Sequence, residues 1–181
     1  MTGFTPYPLV RPSSNGRMRL NQKVRALQHS IKIRALERAD LSAIAGILGS
    51  VDLFPPEMLA PLAEPYLAGD APHHWLVACH GEAILGFAYA EPERMTDGTF
   101  NLLAIAVDAA SQRSGTGRAI VGGLEDRLRG KGARVLIVET SALEAFAGTR
   151  AFYAHQGYAE EARLRDFYTE GEDKVVYWKH L

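Results

Sequence analysis

The segment Gln112-Arg113-Ser114-Gly115-Thr116-Gly117-Arg118 constrains this chain most, because an apolar run leads into it and an amphipathic run leaves it. Thr99 to Val107 reads as an apolar strand. Ile120, Val121, Leu124 and Leu128 then recur at helical spacing, which predicts a helix from Gly117 to Arg129. A strand that passes through glycines into a helix exposes free N–H groups at the positive end of the helix macrodipole, a setting that suits a diphosphate. Glycine permits torsions and close approaches that a side chain forbids. Arg113 and Arg118 add positive charge nearby.

Several readings of such a loop compete. A P-loop requires Gly-Lys-Ser/Thr after a four-residue gap, whereas Val121-Gly122-Gly123 follows here. A dinucleotide fingerprint requires a third small residue at position 120, which is Ile. Glu139 would imitate its ribose-binding acid, yet the glycines begin well after Val107 and no second mononucleotide half follows. A plain glycine-rich connection stays open beside the phosphate-binding reading.

The rest of the chain reads as one α/β (α+β) domain over residues 31–181. Ile31 to Leu36 suits a strand, and Asp40 is placed to cap a helix with Leu41, Ile44, Ala45 and Leu48 on one face. Pro55-Pro56-Glu57 opens a second helix with Met58, Leu59, Leu62 and Tyr66 expected on its buried side. Trp75–Cys79 and Ala83–Glu91 form a hairpin across His80-Gly81-Glu82. Val135 to Val138 is a short buried strand, and Thr149 to Gln156 a last helix ended by Gly157. Leu164–Tyr168 and Lys174–Lys179 frame a closing hairpin.

Composition narrows the function classes. Lys plus Arg number 20 against 21 for Asp plus Glu, so no nucleic-acid partner is expected. The lone cysteine, Cys79, forbids an internal disulfide and points to a reducing, cytoplasmic setting. No apolar run is long enough for a membrane span, and no signal peptide is recognisable. Residues 1–30 hold Arg11, Arg17, Arg19, Lys23 and Arg25 without an acidic residue. They fit either a targeting presequence or, the reading adopted here, a basic, flexible extension ahead of the domain. Cys79 and His80 are adjacent on a strand and point to opposite faces, so they make no nucleophile–base pair. His73 and His74 lack metal-ligand spacing, and no metal is expected.

The glycine segment has a partner further along. Gln-x-x-Gly-x-Gly at Gln112 to Gly117, preceded by Leu103-Ala-Ile-Ala-Val107, closely resembles motif A of the GNAT superfamily of acetyl-CoA-dependent N-acetyltransferases. Thr149-Arg-Ala-Phe-Tyr-Ala-His-Gln-Gly-Tyr158 is similar to its motif B, in the same order and with a strand between. The resemblance implies a single-domain GNAT fold, its mixed, mostly antiparallel sheet splayed between the strands at 99–107 and 135–138. It implies acetyl-CoA in that opening, with the pyrophosphate on Gln112, Arg113, Ser114, Gly115, Thr116, Gly117 and Arg118. A bulge in the first strand would turn main-chain groups at Ile105, Ala106 and Val107 toward the thioester. Tyr153 matches the tyrosine that protonates the departing thiolate. Glu139, at the end of the next strand, is the candidate base. The Asn that many relatives place before the tyrosine is missing, since Phe146-Ala-Gly-Thr149 stands there.

The activity this implies is direct attack by a primary amine of a small molecule or peptide on acetyl-CoA. The alternative is a CoA-binding sensor of the same fold without turnover. Glu170, Glu172 and Asp173 suit a cationic acceptor, although a solvated turn explains them equally well. Homodimerisation is a family-level expectation. Because the extension carries little apolar surface, deleting residues 1–25 should leave melting temperature and CoA binding nearly unchanged. A large loss of either in calorimetry would show that it docks into the domain.

Overall fold

The computed structural model describes residues 31–51 and 53–181, so the extension assigned to residues 1–30 lies outside it. The strands are β1 (Lys32–Ala35), β2 (His74–His80), β3 (Ala83–Pro92), β4 (Thr99–Val107), β5 (Val135–Ser141), β6 (Ala159–Thr169) and β7 (Glu172–His180). The helices are α1 (Leu41–Leu48), α2 (Leu59–Leu67), α3 (Thr116–Arg129) and α4 (Ala147–His155). One sheet runs in the order β1-β2-β3-β4-β5-β7-β6. Each neighbouring pair is antiparallel except β4–β5, which is parallel.

Alternation along β2 and β3 divides the core between two faces. Trp75, Val77, Phe87 and Tyr89 pack with Ile44, Ile47, Leu59 and Ala63 of α1 and α2. Leu76, Ala78, Ala88 and Ala90 pack with Ile120, Val121, Leu124 and Leu128 of α3. In β4 the alternation breaks. Tyr89 faces Ala104 and Ala90 faces Leu102, so Leu103 is an extra, bulged residue. One inserted residue exchanges the two faces of everything beyond it. Leu102 therefore belongs to the α3 side, Ala104 and Ala106 to the α1–α2 side, and Ile105 and Val107 return to the α3 side.

Two local expectations need correction. Asp40 makes no side-chain cap bond to α1. Its carboxylate instead accepts from Arg34 at 2.6 and 2.7 Å and from the Glu37 N–H at 2.8 Å, and the guanidinium holds its carboxyl below the ordinary aspartate range. Met58 is not on the buried side of α2 but 46% exposed, and Ala63 takes the interior position instead. The chain enters α2 through a 3-10 turn at Pro56–Met58, which rotates Met58 outward.

His74 is a buried titratable group that adds its own acid sensitivity to the fold. It is 6% exposed, its Nδ1 accepts from Arg127 Nε at 3.4 Å, and its ring lies 5.3 Å from that of Phe100. Burial first, then the charges of Arg127 and Lys131, depress its pKa from 6.5 to about 4. The folded state holds neutral imidazole while the unfolded chain binds a proton below its own pKa. Stability is therefore complete above about pH 6.5 and falls as the pH drops toward the folded value. Urea unfolding of wild type and His74→Gln at pH 7 and pH 4.5 should differ. Wild type should lose about 2.5 kcal/mol more than the variant, the carboxylate contributions being common to both.

Candidate active site

The site is an opening in the sheet. β4 and β5 pair only from Thr99 to Leu102 against Val135 to Val138. Beyond that, β4 stays with β3 as far as Val107, and β5 stays with β7 as far as Ser141. Two clefts occupy the gap. One, about 670 Å³, lies between the start of α3 and α4 and is lined by Val107, Gln112, Arg113, Gly115, Gly117 and Arg118. The other, about 320 Å³, is lined by Leu53, Leu103, Glu139, Phe146, Tyr168 and Glu172. Ile105, Thr149 and Tyr153 line both. The flip at Leu103 is what turns Ile105 and Val107 into the gap.

The loop before α3 is built to aim its backbone. The Asp108 carboxylate accepts from the Ala110 N–H at 3.0 Å and starts a 3-10 turn over Ala109–Ser111. Arg113 (φ 58°) and Gly115 (φ 94°) are left-handed. The Gly115 carbonyl accepts the Ala119 N–H at 3.0 Å as the first α3 bond. The N–H groups of Thr116, Gly117 and Arg118 thus precede the helix's own ladder, at a helix start with no acidic residue in its first turn. Gly117 differs from Gly115, because it is helical and needs no special torsion. A Cβ there would sit in ordinary contact with the Phe152 ring at 3.5 Å, so it is atoms beyond Cβ that would enter the cleft between α3 and α4. Ser114 and Thr116 do not line the cleft. Their hydroxyls lie 2.7 Å apart, with Ser114 Oγ also donating to the Ser111 carbonyl at 2.6 Å. Ala106 is 6% exposed, packs in the opposite core and pairs with Phe87 of β3, so it lines neither cleft.

Tyr153 is set by the end of α4. The Gly157 N–H donates to the Ala154 carbonyl at 3.1 Å and the Tyr158 N–H to the Tyr153 carbonyl at 3.1 Å. With Gly157 at φ 82°, these are the two bonds of a Schellman cap, and the Tyr153 and Tyr158 rings meet at 5.6 Å as its apolar contact. Behind them the Tyr158 hydroxyl donates to Glu125 at 2.9 Å, and Lys179 Nζ reaches both Glu125 oxygens at 2.8 Å. At the other end of α4, Arg150 donates to the Ser141 and Leu143 carbonyls at 2.9 and 2.7 Å. Tyr153 is 2% exposed, and burial pushes its phenol well above the ordinary tyrosine value. His155 turns away and lies 2.6 Å from the Ala151 carbonyl.

Glu139 lines the smaller cleft, although β5 runs on to Ser141 and Glu139 does not end it, and its charge has a partner in Lys174 Nζ at 3.0 Å. Lys174 is 8% exposed and also sits 3.6 Å from the centre of the Phe167 ring. Glu91 and Glu93 are engaged elsewhere. Glu91 receives the Tyr89 hydroxyl and faces His73 at 3.5 Å, while Glu93 receives the Asn101 amide at 3.0 Å. Leu53 and Tyr168 come from the two segments, 50–56 and 166–173, between which the GNAT resemblance implies that an acceptor enters, whereas Phe146 is not singled out by sequence reasoning. Tyr168 sits in a part of β6 where residues 165–168 stand opposite Asp173 alone, a bulge that strand alternation does not reveal. Among the described residues, no group of His, Cys, Asp or Glu is arranged to hold a metal, and no helix is long and apolar enough to cross a membrane.

Known proteins share this architecture. A GNAT-family protein from Desulfovibrio desulfuricans superposes with a TM-score of 0.76 at 31% identity, over 83% of this chain and 98% of its own. The ribosomal-protein-S18-alanine N-acetyltransferase of Escherichia coli follows at TM-score 0.66 and 24% identity, over 83% and 93%. YncA from Salmonella typhimurium, solved with its cofactor acetyl-CoA, has a TM-score of 0.67 at 21% identity, over 84% and 94%. No curated protein matches the sequence significantly. The Acetyltransferase (GNAT) family matches residues 41–158, which include the glycine loop, the splayed strands and Tyr153, and the chain belongs to that family.

Proposed function

We propose that the protein transfers an acetyl group from acetyl-CoA to a primary amine of a small molecule or peptide. The observation that carries this reading is the meeting of two clefts at Ile105, Thr149 and Tyr153, one basic with unbonded helix N–H groups, the other holding carboxylates and aromatic rings. The structures of YncA with acetyl-CoA and of an aminoglycoside 6'-N-acetyltransferase with coenzyme A support it as fold-level parallels.

The residues fit the cosubstrate. The N–H groups of Gly117 and Arg118, with the α3 macrodipole behind them and the Arg113 and Arg118 side chains beside them, are donors for a pyrophosphate. Acetyl-CoA would supply an activated thioester. The amine attacks its carbonyl carbon, so a C–N bond forms as the C–S bond breaks. The amine gives up one proton, and the leaving sulfur takes one. Main-chain N–H groups near Ile105 and Val107 are candidates to stabilise charge on the carbonyl oxygen. Tyr153 holds its proton at the cleft junction. Its raised pKa makes it a steady hydrogen-bond donor to the departing sulfur, and it stays protonated throughout the neutral range. Glu139 is the candidate base, and its ion pair with Lys174 fixes the carboxylate at the cleft wall.

Two outcomes follow. In Gly117→Val, branched methyls enter the space beside Phe152. Calorimetry should show acetyl-CoA binding lost in a protein that still melts cooperatively, and wild type should not bind NADH. Tyr153→Phe keeps the ring and should keep cosubstrate affinity, while kcat at saturating acetyl-CoA falls by about 10²-fold or more. Because burial raises the phenol, the wild-type kcat profile should show no descending limb from Tyr153 below about pH 10. A kcat within about threefold of wild type in the Phe variant would return Tyr153 to a packing role. Acetyl-CoA binding without release of free CoA on any amine would favour the sensor.

A further inference from the structure

We infer that the smaller cleft takes a small primary amine on an apolar body, with no carboxylate beside the amine, its ammonium group drawn in by Glu172 against Tyr168. The inference rests on the acetyl-transfer reading and names the acceptor class for that same site. A cleft of about 320 Å³ is at the lower end for small-molecule sites. Among the described residues, the charged side chains that line it are Glu139 and Glu172. Glu139 is ion-paired with Lys174 at 3.0 Å. Glu172 has no ion-pair partner among the described residues, so it sets the sign of the cleft. A carboxylate on the acceptor would meet that charge with no cation among the described lining residues to receive it. The remaining walls are largely apolar or aromatic, and Leu53 also borders a neighbouring hollow lined by Leu48, Val51, Phe54, Pro55 and Pro56. That hollow offers room for an apolar body.

The Tyr168 wall is held in place. In the β6 bulge Asp166 is left-handed (φ 52°), and its N–H donates to Asp173 Oδ1 at 3.1 Å. Asp166 Oδ1 accepts the Gly171 N–H at 2.7 Å, which ties the bulge to the hairpin turn. Lys174 anchors Phe167 at 3.6 Å while it pairs with Glu139, and the Phe167 ring meets the Tyr168 ring edge-on at 5.2 Å. Lys174 is thus a positioning residue that connects the cleft wall at Glu139 to the aromatic wall. Burial, with Glu139 and Glu172 nearby, pushes the Tyr168 phenol upward, so it remains a neutral hydroxyl beside an ammonium group.

The test is calorimetry on the full chain, with and without saturating CoA, using three ligands of one shape: phenethylamine, phenylalanine and phenylalaninamide. Phenethylamine should bind at least tenfold more tightly than phenylalanine. Glu172→Gln, in the exposed hairpin, should weaken phenethylamine at least fivefold and leave CoA affinity unchanged. Phenylalanine binding as well as phenethylamine, no measurable amine binding, or an indifferent Glu172→Gln would each overturn the inference. Phenylalaninamide binding tenfold more tightly than phenethylamine would also overturn it and assign the cleft to a peptide N-terminus. Failure of CoA to bind would instead overturn the acetyl-transfer reading, and the titrations without CoA would still decide the acceptor class.

Discussion

Everything at the site depends on two parallel strands that stop pairing. In a continuous sheet β4 and β5 would satisfy each other's backbone to their ends. Here they part after Leu102 and Val138, and each keeps its other neighbour. The Leu103 bulge makes the parting useful, because the inserted residue exchanges the faces of Ile105 and Val107. The same gap lets α3 begin with Gly117 and Arg118 on the larger cleft. A cleft with backbone donors on one side and side-chain carboxylates on the other is a consequence of topology before it is one of residue choice.

The second requirement is a rigid back wall. Tyr153 stands among Phe152, Tyr158 and Tyr177, with ring centres 5.2, 5.6 and 6.0 Å away. Behind them Glu125, 8% exposed, takes bonds from Tyr158 and Lys179. A buried ion pair of this kind is weak evidence for stability, because desolvation offsets much of the attraction. Its contribution here is placement. It joins α3, the end of α4 and β7 at one point, and the Schellman cap then fixes where the Tyr153 backbone ends.

Much of this was legible in the sequence, for identifiable reasons. The apolar run at Thr99–Val107, the periodic stripe of α3 and the left-handed stop at Gly157 are local signals, and each falls within a residue or so of its observed place. The joined motifs around Gly115 and Tyr153 carried the family. What was illegible depends on contacts distant in sequence. Asp40 looks like a helix cap, yet Arg34 in β1 takes its carboxylate. A bulge in the strand at 99–107 is implied by the GNAT resemblance, but its place at Leu103 is silent because Leu102, Leu103 and Ala104 are apolar in either register. β6 starts at Ala159, earlier than expected, because every one of its residues is exposed and no alternation marks it. Lys174 reads as a surface lysine until Glu139 and Phe167 are seen to enclose it.

The bulge in β6 has a consequence beyond the cleft. Among the described residues β6 is the last strand of the sheet and presents a long outer edge. A flat edge of that length, carrying Leu164, Phe167 and Tyr168 at 42%, 49% and 47% exposure, would be a template for strands of other chains. The extra residues at 165–168, the irregularity beside Glu161, and the charges of Glu160, Glu161, Arg163 and Arg165 interrupt that template. The distortion that brings aromatic side chains over the sheet opening therefore also guards the chain against edge-to-edge aggregation. Straightening it to alter the cleft would expose the protein to that hazard.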